Sequence, residues 1–135
     1  MRERLGFDAE TKSIRSSSLK ELVRLLNPDE CLGCKNYYKI EDRTYINKTT
    51  GRPHFDVHHM ISLGKNKELD VENNLVKLCP ACHDTLKRGA ADKTTQTKLI
   101  TEIYNNAPNV LEFAEHFFDT THFDEIIELT FNRLK

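Results

Sequence analysis

A chain of 135 residues with 38% hydrophobic and 30% charged side chains has the makeup of one compact globular domain with a modest core. No apolar run approaches the length of a bilayer span, and the first thirty residues lack the apolar stretch of a secretion signal, so no membrane role and a cytoplasmic location are expected. The net charge of −1 is uneven: residues 31–100 carry twelve basic against eight acidic side chains, and residues 101–135 carry two against seven. A basic middle with an acidic tail suits a phosphate-handling module, and equally suits incidental surface charge on a neutral protein.

In chain order, residues 18–26, SLKELVRLL, read as a short amphipathic helix. Ser18 and Glu21 fit a capping box, Leu19, Leu22, Val23 and Leu26 share one face, and Asn27-Pro28 stops it. Cys31-Leu32-Gly33-Cys34 is a tight turn whose glycine permits the backbone to bring two sulfurs together. Residues 37–46, YYKIEDRTYI, are rich in β-formers, and 54–60, HFDVHHM, is the return strand, which predicts a β-hairpin. Residues 62–74 are polar and loop-like, ending in Asn73-Asn74. LVKL then leads into CPACH at 79–83, where Pro80 suits a first helical turn and Lys87, Arg88 and Gly89 mark the helix end.

Further helices are predicted at 94–105, 108–118 and 123–134. Phe117, Phe118, Phe123, Ile126, Ile127 and Phe131 are too many apolar groups for free helices in water, so residues 108–135 are expected to serve packing or association, with no part in chemistry. There is no internal repeat. The organisation expected is an N-terminal helical segment (1–30), a core (31–90) and a C-terminal helical extension (91–135), within one compact domain.

Two Cys-x-x-Cys pairs, Cys31/Cys34 and Cys79/Cys82, stand 44 residues apart. Each two-residue spacer can close around one edge of a tetrahedron, and four soft ligands suit a structural Zn²⁺. Cysteines in a reducing compartment are better read as thiolate ligands than as two disulfides. A single pair would equally fit a redox motif. CPACH also has the c-type haem attachment pattern, but haem would need an oxidising compartment and would leave Cys31 and Cys34 without a role. His83 follows Cys82 directly, and helix neighbours diverge by about 100°, so His83 points away from the zinc. By itself it would be read as a solvated or hydrogen-bonded histidine at a helix start.

The stretch DVHHMISLGKNKELDVENNLVKLCPACH resembles the HNH endonuclease family, in its zinc-stabilised subgroup with two Cys-x-x-Cys pairs. The matching features are the His58-His59 pair, Asn74 just before an apolar pair, and His83 after the second cysteine pair. The resemblance runs from residue 31 to about 88. It implies an α+β fold: a small ββα-metal core stapled by a four-cysteine zinc site, with flanking helices. It also implies a metal-dependent endonuclease that hydrolyses phosphodiester bonds in DNA, most simply double-stranded, of restriction or phage type. The alternative is a non-catalytic zinc-binding module for nucleic acid or protein.

Carried over residue by residue, the resemblance makes His59 the general base and His58 and His83 ligands of a catalytic divalent cation. Asn74 becomes a catalytic residue that braces the loop carrying the base, with Asn73 as the competing candidate. Some family members have another metal-binding histidine where this chain has Lys87, which either contacts substrate phosphate or is a solvated helix end. Two imidazoles suit Mn²⁺, Ni²⁺, Co²⁺ or Zn²⁺ somewhat better than Mg²⁺. Asp56 lies two residues before His58 and is a candidate to orient it. His54 reads as an exposed strand residue, and His116 and His122 as structural or solvated. A net charge near zero gives little non-specific affinity for nucleic acid. A recognition domain or subunit is therefore expected, from a partner or a longer parent chain, and a homodimer is compatible with this reading.

Overall fold

LVKL and the histidine pair form the two strands at the centre of the fold. In the computed structural model, which describes residues 18–64 and 66–134, β1 (Asp56–His59) runs antiparallel to β2 (Leu75–Leu78). The register sets His58 opposite Val76 and His59 opposite Leu75. Every residue of β2 is buried, whereas β1 buries Val57 and leaves both histidines half-buried on its faces. A short helix, α1 (residues 18–26), precedes the sheet. Residues 1–17 of the expected N-terminal segment lie outside the described residues.

Helix α2 (Pro80–Thr85) follows β2 after one residue. Cys79 is extended at its N-cap and its sulfur accepts from the Cys82 N–H, while Pro80 occupies the first turn, where no N–H is needed. The chain is thus α+β, with a ββα unit at its centre. Between the strands the backbone winds through 3₁₀ turns at Lys67–Leu69 and Glu72–Asn74.

The expected hairpin of 37–46 with 54–60 does not form. Residues 37–46 turn away from the cysteine loop, pass through a 3₁₀ turn at Ile40–Asp42 and meet the return segment at one isolated bridge, Ile46 with Pro53. The β-formers there are exposed: Tyr37, Tyr38, Tyr45 and Ile46 are all more than half accessible. With no apolar face to bury, β propensity alone does not make a strand. Strand β1 pairs instead with the apolar LVKL segment.

Three helices cover the remaining side: α3 (Lys93–Asn106), α4 (Pro108–Phe118) and α5 (Phe123–Asn132). Asp92 caps α3 by accepting from the Thr95 N–H, and Asp119, at φ 56°, ends α4 in the left-handed region. Ile100, Ile103, Tyr104, Ala114 and Ile126 join Met60, Ile61, Leu69, Leu78, Leu86 and the four cysteines in one buried cluster. Each large aliphatic side chain so buried contributes about 1.5–3 kcal/mol. The apolar groups of 108–135 therefore pack against the same core as the cysteines.

Helix α1 is attached through polar groups more than through its apolar face. Val23 packs on Val57 and Leu75, but Leu22 and Leu26 are 51% and 76% exposed, so the four-residue face read from periodicity is only partly used. The buried Lys77 ammonium of β2 donates to the carbonyls of Arg24 and Asn27 and to Asp29 Oδ1, at 2.9, 3.1 and 3.1 Å. Among the described residues, no helix is long and apolar enough to cross a membrane.

Candidate functional site

The two cysteine pairs meet beside the sheet. Cys31 and Cys34 sit in the turn after α1, Cys79 follows β2 as the N-cap of α2 and Cys82 lies in α2, and their four buried sulfurs are all within 4.8 Å of one another. Cys34 and Cys79 sulfurs are 3.8 Å apart. That is far beyond a disulfide bond, and it matches the separation of about 3.8 Å expected between sulfurs about 2.3 Å from a tetrahedral zinc. Backbone N–H groups of Gly33 and Cys82 donate to the sulfurs of Cys31 and Cys79 at 3.4 and 3.5 Å. Arg43 brings its Nη2 to 3.9 Å from Cys82 Sγ.

Protonation of these thiols is mutually dependent. The Cys31 and Cys82 thiols, donating to Cys79, pull it well below the usual thiol range. Burial, reinforced by the crowding of neighbouring sulfurs, pushes Cys34 up to about 12. Four thiolates cannot share this volume without a cation, so the set is one that can hold a structural zinc ion.

Gly33 is required by space. Its φ is not positive, but a Cβ there would lie 2.7 Å from Leu99 Cδ1 and 3.1 Å from Cys82 Sγ.

On the other side of α2, a cavity of about 480 Å³ is lined by His58, His59, Ser62, His83, Lys87 and Lys20, among others. The rings of His58 and His83 stand 5.5 Å apart, edge to face. His58 Nε2 is buried with no hydrogen-bond partner among the described residues. Burial, with the neighbouring His83 and His59, holds His58 down to about 3, so its ring is a neutral donor of a lone pair at neutral pH.

His83 is held by Asp56, whose Oδ2 is 3.1 Å from His83 Nδ1. A carboxylate can only accept there, so Nδ1 carries the proton and Nε2 keeps its lone pair. The other Asp56 oxygen is 3.2 Å from His54 Nε2, and His54 stacks on Tyr45 at 5.0 Å. Asp56 therefore orients His83 and not His58, because His83 on α2 comes to meet it across the strand. His54 is half-buried in this chain of contacts and is not a free strand residue.

His59 points into a different set of partners. Its Nε2 is 3.0 Å from Oδ1 of Asp70, whose side chain is only 6% exposed. Asn74 is fully buried. It accepts from the Ile61 N–H at 2.9 Å and donates to the carbonyls of Ile61 and Leu69 at 2.9 and 2.8 Å. Asn73, the competing candidate, is exposed. Lys87 lies past the end of α2 at the cavity edge, exposed and 2.9 Å from Asp84. His116 and His122 are exposed and belong to a separate acidic surface on α4 and its exit loop.

Residues 31–89 match the family model described as HNH endonuclease. They form an HNH domain. No curated protein and no solved structure matches the chain. The HNH domain contains both strands, α2, all four cysteines and the three histidines of the cavity. One residue lining that cavity comes from outside the domain: Lys20 reaches in from α1. Arg133, after α5, donates to the carbonyl of Ser62, itself a lining residue, at 3.2 Å.

Asp70 and Lys20 were not singled out by sequence reasoning. Asp70 stands in the polar stretch 62–74, where a buried carboxylate looks like any other loop residue, and its partner is 11 positions away. No periodicity links the two. The one available signal, an acidic residue shortly before the asparagine of an HNH pattern, is too common to read alone.

Proposed function

We propose that the protein is a divalent-cation-dependent endonuclease that hydrolyses phosphodiester bonds in double-stranded DNA, in a restriction- or phage-type role in the cytoplasm. In this reading His58 and His83 hold the cation, His59 is the general base, and Asn74 braces the loop that carries it. Residues 18–134 act as one folding unit around the 31–90 core. The observation that carries the reading is His58 Nε2: a buried nitrogen with no partner among the described residues, in a cavity it shares with a second, oriented imidazole. Burying such a group unpaired is costly, and a ligand bond to a cation removes the cost.

The donor set fits a divalent ion with two neutral imidazoles, the second fixed by Asp56, and suits Mn²⁺, Ni²⁺, Co²⁺ or Zn²⁺ somewhat better than Mg²⁺. When bound, such a cation neutralises charge developing on the phosphate and on the departing oxygen. The protein's own part is proton transfer and positioning. His59 takes a proton from the attacking water as that water bonds to phosphorus and the ester oxygen departs. Lys87 and Lys20, at the cavity edge, supply positive charge for the phosphate. Phosphate contacts position a duplex without reading its sequence, so a recognition domain or subunit, or a second copy of the chain, supplies target choice.

Nicking of supercoiled plasmid across a series of these cations tests the reading. His59→Ala is expected to cut about 10²–10⁴-fold more slowly, the usual share of a general base. His58→Ala and His83→Ala are expected to regain part of their activity as the cation is raised. A wild type inert with every cation overturns the enzymatic reading in favour of a zinc-binding interaction module. Rescue of His59→Ala by extra cation, with His58→Ala left inert, exchanges the two histidine roles.

A further inference from the structure

We propose that Asp70 is a positioning residue for His59, holding the imidazole as its Nε2–H tautomer so that Nδ1 is the nitrogen that takes the proton from water. The proposal rests on the reading of His59 as the base, and it names the group that makes one nitrogen of that base competent. The contact is short, 3.0 Å between His59 Nε2 and Asp70 Oδ1, and both side chains are largely shielded from water, at 13% and 6% exposure. A buried carboxylate has to accept hydrogen bonds to be tolerated, and an ionised one cannot donate. The proton in this contact therefore sits on Nε2. That leaves the Nδ1 lone pair without a protein partner among the described residues, on a ring that lines the cavity.

Asn74 fixes both ends of the contact with one side chain. Its carboxamide accepts from the Ile61 N–H and donates to the Ile61 carbonyl, two residues after His59. The same Nδ2 donates to the Leu69 carbonyl, immediately before Asp70. Its own backbone carbonyl accepts from the Met60 N–H at 2.8 Å. The strand exit and the loop bearing Asp70 are thus tied to one buried amide, and the His59–Asp70 distance follows from that clamp. Asp56 makes the parallel contact to His83 at Nδ1. The two carboxylates consequently select opposite nitrogens: Nε2 is left free on His83 and Nδ1 on His59. A ligand on α2 and a base on β1 in this way turn different ring nitrogens toward the same cavity.

The test combines ring-nitrogen NMR with steady-state plasmid cleavage on the zinc-loaded protein. Long-range ¹H–¹⁵N ring spectra, taken above the usual imidazole value of about 6.5, are expected to show His59 as the Nε2–H tautomer in the wild type. Asp70→Asn can donate to or accept from the ring, so the tautomers should mix. With them, kcat should fall about 10–100-fold, the usual effect of losing the partner that orients a functional histidine, with KM and zinc content unchanged. An Nδ1–H tautomer in the wild type overturns the proposal, and this measurement decides even if Asp70→Asn fails to fold. An Asp70→Asn protein with unchanged tautomer and unchanged kcat also overturns it. If that occurs while His59→Ala is inactive, Asp70 is dismissed and the base survives. If His59→Ala cuts at the wild-type rate, the base reading itself falls and takes the proposal with it.

Discussion

Replacing Asn74 by Ala removes three hydrogen bonds at a position with no solvent access and strands three backbone groups: the N–H and C=O of Ile61 and the C=O of Leu69. Each buried group left unpaired costs about 1–3 kcal/mol. A water entering the space left by the amide would recover part of this, so the expected loss is about 3–5 kcal/mol, a large fraction of the 5–15 kcal/mol typical of a domain. Urea unfolding with zinc saturating should show it as a lower midpoint at unchanged slope. Asn74→Asp separates the two halves of the clamp. It keeps the acceptor for Ile61 N–H but turns a carboxylate oxygen toward two carbonyls. Its folded-state proton affinity is then raised, so the penalty is small below the unfolded carboxyl value of about 3.9 and grows as pH rises above it. A midpoint shift in Asn74→Ala worth less than about 1 kcal/mol would refute the clamp.

The other predictions concern the metal-binding side, the pH response and the extent of the fold. Any one of Cys31, Cys34, Cys79 and Cys82 changed to Ser should lose one zinc equivalent and most folded protein, since structural zinc contributes folding free energy directly; elemental analysis and circular dichroism check this. Gly33→Ala should cost about 1–3 kcal/mol through overpacking against Leu99 and Cys82, and should release zinc to a chelator faster; unchanged release would put the turn's constraint elsewhere. His58, held at about 3 against about 6.5 when unfolded, contributes no loss above pH 6.5 and an increasing one as pH falls from there toward 3. His58→Gln should flatten that acid limb in pH-dependent unfolding, and an unchanged limb would contradict the burial of the ring. A fragment of residues 31–89 should not fold with zinc alone, because it lacks the helices that complete its core; a dispersed NMR spectrum from the zinc-loaded fragment would show otherwise.

What could be read from the sequence was whatever chemistry makes local and exclusive. Two Cys-x-x-Cys pairs have few alternative uses in one chain, and their sulfurs do converge. Pro80 marks a helix start through the N–H it lacks, and α2 begins there. Pairing in the sheet was not legible in the same way. Residues 37–46 carry the stronger β propensity, yet only Leu75–Leu78 offers four residues that can all be buried. Burial is decided by α3–α5, which follow later in the chain. Asp56 illustrates the same limit at the site. Its place two residues from His58 suggested one partner, while its actual partners are His54 and His83, the latter brought in from 27 residues away by the turn of the chain through β2.

A two-stranded sheet of four residues per strand is marginal by itself, and this one carries His58 and His59 of the proposed site. It is secured from four directions. Cys79 ties the end of β2 to the cysteine cluster, and Asn74 ties its start to the exit of β1. The Lys77 ammonium binds its middle to α1, and Arg133 reaches from beyond α5 to the Ser62 carbonyl at the cavity wall. Two of these four anchors engage residues outside the HNH domain. The C-terminal segment thus acts on this region through packing, with Arg133 fixing the loop after His59 and the helices supplying the core in which Leu69, beside Asp70, is buried. Positional precision at a proton-transfer site depends on rigidity of the groups behind it. The anchors behind the proposed site are distributed over the chain from α1 to Arg133, so the position of His59 depends on more of the fold than the segment that holds the three histidines.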